Sequence, residues 1–392
     1  MELNTKYGKI KIFAKTLEEA ALGQITVLAN SVLGEGANIR VMPDAHAGAG
    51  CVVGTTMIIT DKVCPNLVGV DIGCGVDLVK TDIDFVTRLE ELDGVIRKHV
   101  PFGKRHHEKT QPYNGFAKLR CWGKLKRDTK DVAAKSLGSL GGGNHFIEAY
   151  DGGYLAVHSG SRNIGWRVAQ YYQIAAEKQV SERMTALKAE ALKAVPEAQR
   201  EKWLKENKAK VAIDESIAYL VGGLMQDYLH DMGIMQEFAV ANRKAMLEAI
   251  VSKMGGRILS RTTSTHNYID MSHSEIMLRK GAISARAGEQ LVIPLNMRDG
   301  LLLCVGKGNP DWNYSAPHGA GRLYSRSKAK RTLSLEDYKQ AMKGIFSTCI
   351  NNDTLDEAPF AYKDYREIME LIRPTVDIKK RLIPIYNFKA SE

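Results

Sequence analysis

The segment Val68–Thr81, VGVDIGCGVDLVKT, sets the character of this chain because it joins a β-branched run to closely spaced glycines. Val and Ile favour extended backbone, whereas Gly allows the tight turns that interrupt it. Asn38–Met42 and Gly50–Thr60 have the same composition, and residues 131–162 and 256–330 return to it. We therefore predict a fold of short strands joined by Gly-rich loops.

The composition changes from about Trp166 to Gly255, where Ala, Lys, Glu, Leu and Gln dominate and predict a run of helices. Residues 181–210 are so charged that we interpret them as a helical protrusion with solvated faces, with a nucleic-acid-binding arm as the alternative. Motif-bearing loops occur on both sides of the helical block. We therefore predict one α+β domain over residues 1–392 with a helical insertion at about 166–255.

The remaining local predictions complete this picture. Residues 103–115 are basic and turn-rich and are predicted to form a loop. Further helices are predicted over Phe85–Val100, 335–350 and 364–373, and a last strand over Arg381–Phe388.

Composition narrows the class of protein. The chain has 392 residues, 44% of them hydrophobic and 26% charged, which is typical of a globular protein and excludes wholesale disorder. A formal charge of +10 favours polyanionic partners such as RNA, DNA or nucleotides. The six cysteines form no C-x-x-C pair, which fits a reducing cytoplasm. The first residues lack the pattern of a secretory leader, and no apolar run has membrane-spanning length.

Metal-type ligands occur in the Gly-flanked loops. They are Asp71 and Cys74, three residues apart, and His145, His158 and His266. One thiolate, one carboxylate and three imidazoles suit a borderline transition metal, or two metals that share a ligand. Ligand type alone favours Zn²⁺, with Mn²⁺ or Fe²⁺ as alternatives. Each residue also has an ordinary structural interpretation, such as a turn cap for the carboxylate or a small buried hydrophobe for the thiol.

A separate histidine stands in an open setting, in Ser315–Arg322, SAPHGAGR. The small residues around His318 leave room for a bulky nucleotide at a nucleophilic imidazole. Arg322, four residues on, can hold phosphate oxygens in a bidentate fork. The alternative is a His-Gly pair in a tight turn with no chemistry.

Taken together, the motifs resemble those of the RtcB family of RNA-splicing ligases. They occur in the family's order over nearly the whole chain. The matching stretches are Met42–Gly48, Gly69–Gly75, Gly141–Glu148, His158–Arg162, His266–Asn267, Arg279–Ala282, His318–Arg322 and Glu357–Lys363.

The resemblance implies an enzyme that uses GTP and two Mn²⁺ ions to join an RNA end carrying a 2′,3′-cyclic phosphate or 3′-phosphate to a 5′-hydroxyl end. It implies that His318 is the nucleophile that takes GMP from GTP, and that Cys74 bridges two metal ions. It implies that Arg162 and Arg322 hold RNA or triphosphate oxygens. The implied metal ligands are Asp71, Cys74, His145, His158 and His266. The implied guanylate-binding residues are Asn144, Phe146, Glu148, Asn296, Gly319, Ala320, Gly321, Tyr362 and Lys389.

The chain departs from the family pattern at Pro294–Gly300, PLNMRDG, where many members have a Pro-Gly-Ser-Met-Gly turn. The serine normally helps to hold the nucleotide, and Asn296 is its candidate substitute. This departure motivates two alternatives to the ligase, namely a metal-dependent cyclic phosphodiesterase that no longer joins ends and a non-catalytic RNA-binding protein. Splicing of tRNA and repair of damaged RNA both remain open as the natural role. Archease, the family's accelerating protein, is a candidate partner.

Overall fold

The computed structural model describes residues 1–48, 50–208 and 214–390, and its fold class is α+β as predicted. Its strands are β1 (Glu2–Thr5), β2 (Gly8–Ile12), β3 (Arg40–His46), β4 (Val53–Ile59), β5 (Gly75–Thr81), β6 (Phe146–Tyr150), β7 (Tyr154–Ser159), β8 (Ile258–Thr265), β9 (Asn267–Asp270), β10 (Ile276–Lys280), β11 (Ala282–Ser284), β12 (Gln290–Asn296), β13 (Gly300–Gly306), β14 (Ser315–Pro317), β15 (Val376–Leu382) and β16 (Pro384–Lys389).

The α-helices are α1 (Glu19–Asn30), α2 (Pro65–Val68), α3 (Leu89–His99), α4 (Arg127–Ala134), α5 (Arg162–Ala194), α6 (Glu197–Lys208), α7 (Gly222–Lys253), α8 (Arg326–Thr332), α9 (Leu335–Ala341) and α10 (Tyr365–Leu371). Short 3₁₀ helices cover Gly115–Lys118, Trp122–Lys124, Glu215–Ile217, Pro310–Trp312, Asn352–Glu357 and Pro359–Ala361. In the part of the chain that the structure describes, no helix is both long and apolar enough to cross a membrane.

Two sheets carry most of the strands. The first has the order β1-β2-β3-β4-β10-β9, and the second has the order β16-β6-β7-β5-β8. All pairs within the second sheet are antiparallel. Smaller sheets pair β11 with β14 and join β12, β13 and β15. The β11–β14 pair lies beside both large sheets, because β11 contacts β4 as well as β8.

Helix α7 is the central buried helix. Side chains along its length are buried, among them Tyr228, Phe238, Met246 and Ile250. Its N-terminal half packs into the core beside the first sheet, whereas its C-terminal half packs into the core of the second. It also contacts β5 and β7 directly. A helix that is apolar over so much of its surface is expected to be buried, and α7 is buried in two adjoining hydrophobic cores.

The predicted helical block is confirmed, since α5, α6 and α7 occupy it. Among residues 181–208, only Ala191 is buried, which fits the predicted solvated protrusion. Residues 209 and 210 of that prediction lie outside the described residues. The single domain over 1–392 stays a prediction.

Several predicted boundaries are wrong. The stretch 68–81 is a strand only from Gly75, because Pro65 starts a short helix and Gly69 and Gly73 take positive φ values of 96° and 71°. Residues 131–134, at the start of the region 131–162 predicted as strands, belong instead to the helix α4. The helix expected over 335–350 ends at Ala341, and the last strand is two strands, β15 and β16.

Candidate active site

Four of the predicted metal ligands come from neighbouring strand ends in the second sheet. Cys74 immediately precedes β5, His145 precedes β6, His158 lies near the end of β7, and His266 follows β8. The registers place Val76 opposite His158 and Gly75 opposite Thr265. Because side chains alternate between the two faces of a sheet, Cys74, His158 and His266 share one face. The sheet thus gathers residues that are up to 192 positions apart in sequence.

These side chains form two clusters that share Cys74. In one, Nε2 of His158 lies 3.2 Å from Sγ of Cys74 and 3.3 Å from Nε2 of His266. In the other, Nε2 of His145 lies 3.5 Å from the same Sγ and 3.0 Å from Oδ2 of Asp71. Within each group of three, all donor atoms lie within 4.8 Å of one another. The structure therefore brings together all five residues predicted as metal ligands.

The imidazoles are oriented through their other nitrogens. Nδ1 of His145 lies 2.8 Å from the carbonyl oxygen of Leu140, and Nδ1 of His158 lies 3.1 Å from that of Asn144. A carbonyl only accepts, so each Nδ1 carries a proton. For His158 this leaves Nε2 to present a lone pair to its cluster, whereas Nε2 of His145 faces the Asp71 carboxylate. Burial lowers the pKa of His158 and of His266 well below the usual value, which keeps both rings neutral. Neutral imidazole is the form that binds metal.

The Cys74 thiol differs from the histidines, because burial disfavours its metal-binding form, the thiolate. Burial, reinforced by the Asp71 carboxylate, raises its pKa well above the usual value when no cation is present. A thiolate at this position needs a compensating positive charge, which a divalent metal ion would supply. The donor set, the shared sulfur and the fixed imidazole tautomers therefore fit a pair of metal ions.

A buried arginine holds the loops that carry these ligands. The Arg243 guanidinium on α7 is fully buried and donates to the carbonyl oxygens of Gly73 and Ser159, both at 2.9 Å. These two residues are the neighbours of Cys74 and His158. Nε of Arg243 also donates to Oδ1 of Asp77 at 2.9 Å, which balances its charge.

Arg162 is placed beside the Asp71 side of the cluster. It has a φ of 59°, a left-handed conformation that is uncommon for a residue with a side chain. Its Nη2 donates to the carbonyl of Gly103 at 3.1 Å, while the neighbouring Ser161 N–H donates to Oδ1 of Asp71, also at 3.1 Å. A Cβ on Gly160 would lie 2.0 Å from that oxygen, so only glycine fits there. Such a conformation persists only where the surrounding contacts hold it in place.

His318 follows β14 and stands next to the metal-type ligands. Its ring centroid is 4.9 Å from that of His266. Its Nδ1 lies 2.7 Å from Oδ2 of the fully buried Asp44, within ion-pair distance but outside hydrogen-bond alignment. This contact involves Nδ1 alone and leaves Nε2 as the nitrogen free of Asp44.

A cavity opens on the His318 side of the cluster. All nine residues predicted to bind guanylate line it, together with His318, His158 and Arg322. Arg162 does not, and lies instead in a separate groove with Asp71. The structure thus assigns the two predicted phosphate-binding arginines to different surfaces.

One buried carboxylate organises the wall of this cavity. Glu357 accepts from Tyr362 at 2.7 Å, from Lys389 at 2.5 Å, from Arg326 at 2.9 Å and from Arg322 at 3.2 Å. Burial alone would raise the pKa of Glu357, but the charges of Lys389, Arg326 and Arg322 outweigh it and lower the pKa to about 2. Glu357 therefore stays ionised and fixes three cavity-lining cations.

Glu148, which also lines the cavity, has a pKa shifted in the opposite direction. Burial raises its pKa to about 7, although Tyr150 and Asn387 donate to its carboxyl oxygens. Two carboxyl groups in one site, one firmly ionised and one poised near neutrality, are characteristic of a functional site.

Asn296 lines the cavity, but its amide is used within its own turn. Oδ1 accepts from the N–H groups of Arg298 and Asp299 at 3.0 and 2.9 Å, and Nδ2 donates to Oδ2 of Asp299 at 2.7 Å. Its role in binding the nucleotide stays a prediction.

Sequence reasoning gave no role to Asp44, Glu357, Arg326 or Arg243. Asp44 and Glu357 lie within the quoted motifs Met42–Gly48 and Glu357–Lys363. Their presence in those motifs was the signal by which sequence analysis could have found them. Arg326 follows the His318 motif closely. Arg243 sits in an ordinary helical sequence, and nothing in that sequence signals its contact with two distant loops.

The fold and site define a class of protein: an α+β protein that presents metal-type ligands sharing one cysteine sulfur at the end of one sheet, beside a cavity lined by a histidine and fixed cations. A sequence profile described as "tRNA-splicing ligase RtcB" matches residues 27–119 and 104–390. The chain belongs to the RtcB family.

Individual relatives agree with this assignment. The RNA-splicing ligase RtcB of Escherichia coli strain K12 is 31% identical over 386 aligned residues, which cover 87% of each chain. The RNA-splicing ligase RtcB1 of E. coli strain ATCC 25922 is 30% identical, also over 87% of each chain. The tRNA-splicing ligase RtcB of Aeropyrum pernix strain K1 is 27% identical over 84% of this chain and 83% of its own.

Proposed function

We propose that this protein is a GTP-dependent RNA ligase that joins a 3′-phosphate or 2′,3′-cyclic phosphate end to a 5′-hydroxyl end. Family membership and the names of the relatives support an RNA ligase. The observation that carries the finer proposal is the position of His318, between the metal-type cluster at His266 and the cavity lined by the predicted guanylate-binding residues.

The proposed chemistry begins at His318. Its Nε2 attacks the α-phosphorus of GTP, forming an N–P bond while the bond to the β-phosphate oxygen breaks and pyrophosphate leaves. The RNA 3′-phosphate oxygen then attacks the same phosphorus, which frees the histidine and leaves GMP attached to the RNA end. A 5′-hydroxyl finally attacks the RNA phosphorus, forming the 3′–5′ bond as GMP departs and the hydroxyl proton is lost.

This series of reaction steps explains why a covalent guanylate is needed. A terminal phosphate is anionic and carries no good leaving group, so direct attack by a hydroxyl is slow. Attached GMP supplies the leaving group and divides one difficult step into easier ones. Asp44 holds the His318 ring from the Nδ1 side and stabilises the cationic imidazole that forms when Nε2 is bonded to phosphorus.

Two divalent ions, Mn²⁺ by resemblance, would be held by Asp71, Cys74, His145, His158 and His266. When bound, they supply charge neutralisation at phosphorus and a lowered pKa for a coordinated hydroxyl or water. The chain's own contribution is to fix the ligand loops through Arg243 and to hold the cavity cations through Glu357. The cytoplasmic location and archease as a partner stay predictions.

A second function is favoured by one observation. The amide of Asn296 bonds within its own turn through Oδ1 and through one of its two N–H groups, so it offers less than the nucleotide contact expected at that position. A protein with weakened nucleotide binding would retain metal-dependent opening of cyclic phosphates without joining ends.

The test is incubation of the protein with Mn²⁺ and GTP labelled at the α-phosphate, followed by an assay that joins two short RNAs. The ligase proposal predicts an acid-labile label on the protein that disappears in His318→Ala and persists in His273→Ala, a matched change at an exposed histidine outside both clusters. Opening of cyclic phosphate without any label would support the phosphodiesterase. Absence of both reactions would refute the two enzymatic functions.

A further inference from the structure

A second concave surface, separate from the His318 cavity, also adjoins the metal-type cluster. It is lined by Asp71, Lys104, Arg105, Arg162, Trp166 and Arg167, and we refer to these residues as the basic groove. Asp71 belongs to the metal-type cluster, so the groove reaches the candidate metal site directly. His158, by contrast, lines the guanylate cavity. The two surfaces therefore share no lining residue, and each is lined by a different residue of the cluster.

The positive charges that line the groove outnumber the negative charges beside them. Four Lys or Arg side chains line it, against Asp71 and Asp128. In the described ranges, Lys104, Arg105 and Arg167 have no carboxylate within ion-pair distance. Nε of Arg167 is also buried without a hydrogen-bond partner among the described residues. Uncompensated cations in a cleft attract an anionic ligand.

The aromatic component makes the groove more specific than an anion site. Trp166 is 36% exposed, and it is the most exposed of the four tryptophans. The Arg167 guanidinium lies 4.6 Å from its ring centroid, which fixes the indole from one side by a cation–π contact. An exposed indole beside cations is how proteins bind a nucleic-acid strand whose bases are unpaired, because an unstacked base offers its face to the ring.

The groove also continues away from the cluster. Arg105 and His106 line both it and an adjoining depression that includes Arg97, Lys98 and Lys109. A basic path therefore extends beyond the space of one nucleotide. A free phosphate or a mononucleotide would not use this length, whereas a strand would.

We propose that the basic groove binds the terminal nucleotides of an unpaired RNA strand, with one base stacked on Trp166 and its phosphates held by Lys104, Arg105 and Arg167. The strand's end then lies at Asp71 and Arg162, across the cluster from the guanylate. This inference rests on the proposed function for the identity of the nucleic acid. It adds the surface, the stacking residue and the requirement for unpaired bases.

The experiment is a fluorescence-anisotropy titration of six-nucleotide RNAs with the full-length protein in the absence of GTP. One RNA is labelled at its 3′ end and has a free 5′-hydroxyl, and the other is labelled at its 5′ end and has a 3′-phosphate. Comparison of the two titrations identifies which of the two strands the groove binds. We expect Trp166→Ala to raise the Kd for at least one strand about tenfold or more, as loss of one stacked base does. Trp166→Phe keeps an aromatic face and should stay within about threefold of the unchanged protein.

The matched control is Trp203→Ala, which removes a partly exposed tryptophan from α6, far along the chain from the groove. It should leave the Kd unchanged. Lys104→Ala should lower the slope of log Kd against log salt by about 0.7, the value for one phosphate contact on a single strand. Unchanged affinity in Trp166→Ala for both strands, or an equal loss for a blunt RNA duplex, would overturn the proposal.

Labelling with GTP separates this proposal from the one it rests on. If the unchanged protein takes no guanylate, the ligase proposal fails irrespective of the groove. If Trp166→Ala takes guanylate normally but binds RNA as tightly as before, the groove proposal alone fails. Loss of RNA binding with guanylate uptake retained supports both.

Discussion

Replacement of Glu357 by glutamine tests the idea that one ionised carboxylate holds the guanylate cavity together. Glu357 is 2% exposed and accepts hydrogen bonds from Lys389, Arg322 and Arg326. Glutamine has the same shape but no charge, so Glu357→Gln leaves three cations facing a neutral amide. The expected result is a loss of stability that depends on pH.

The magnitude follows from the pKa of Glu357, which falls from 4.5 to about 2 on folding. A carboxyl group whose pKa is depressed stabilises the folded state above its unfolded pKa, and this contribution is lost as the pH falls through the folded pKa. The contribution is about 3 kcal/mol at pH 6 and about 1.5 kcal/mol at pH 3. The difference between the two proteins should shrink accordingly as the solution is acidified.

The measurement is urea unfolding followed by circular dichroism at several pH values between 3 and 6, for the unchanged protein and for Glu357→Gln. Other carboxyl groups titrate in both proteins, so only the difference between the two curves reports on this site. Parallel curves, with a constant difference over this range, would refute the assignment of a strongly depressed pKa. Glu357→Gln should also weaken GTP binding, because Tyr362 and Lys389 lose their common partner.

Three further changes address the metal-type cluster and the histidine beside it. Cys74→Ala should abolish stoichiometric Mn²⁺ binding in calorimetry, because both ligand groups lose their shared sulfur, whereas Cys304→Ala removes a buried thiol outside both groups and should bind normally. Asp44→Asn should slow guanylate labelling of the protein by about 10- to 100-fold, since the ring loses its orienting charge; labelling at the normal rate would contradict this role. Arg243→Met should cost about 3 kcal/mol or more in unfolding free energy, because Asp77 loses a fully buried partner and two carbonyls lose their donor. A loss below about 1 kcal/mol, the scale of a surface ion pair, would show that Arg243 is not needed there.

Much of the fold and site is readable from sequence because local chemistry and tertiary structure agree in the Gly-rich loops. Gly73 takes a positive φ and Gly160 has no space for a side chain, so the glycines mark turns that only glycine can form. A ligand-type residue next to such a turn is therefore recognisable. The helical block is readable for the same reason, since its composition and its packing favour one structure.

The parts that sequence misses depend on contacts between distant segments. Residues 131–134 begin a region predicted as strands, but they belong to α4, which packs against α5. Arg243 lies 170 positions from Gly73, whose carbonyl it binds, and no local pattern encodes that distance. Asn296 appears free to bind a ligand until the structure shows its amide closing the turn to Asp299. Tertiary packing decides the first two cases. The turn at Asn296 is the exception, because it is a local contact of the kind that Asn makes with the backbone that follows it.

The sharing of one sulfur by two ligand groups is a consequence of strand register. Gly75 pairs with Thr265 on one side and with Ser159 on the other, so Cys74 stands opposite His266 and diagonal to His158 on the same face of the sheet. A slip of one residue in β5 would turn Cys74 to the opposite face and separate it from both histidines. The register is held from the other face by Asp77, which pairs with Arg243 and Arg261. The buried ion pair therefore does more than balance charge, because it favours the strand alignment that brings Cys74 to both histidines.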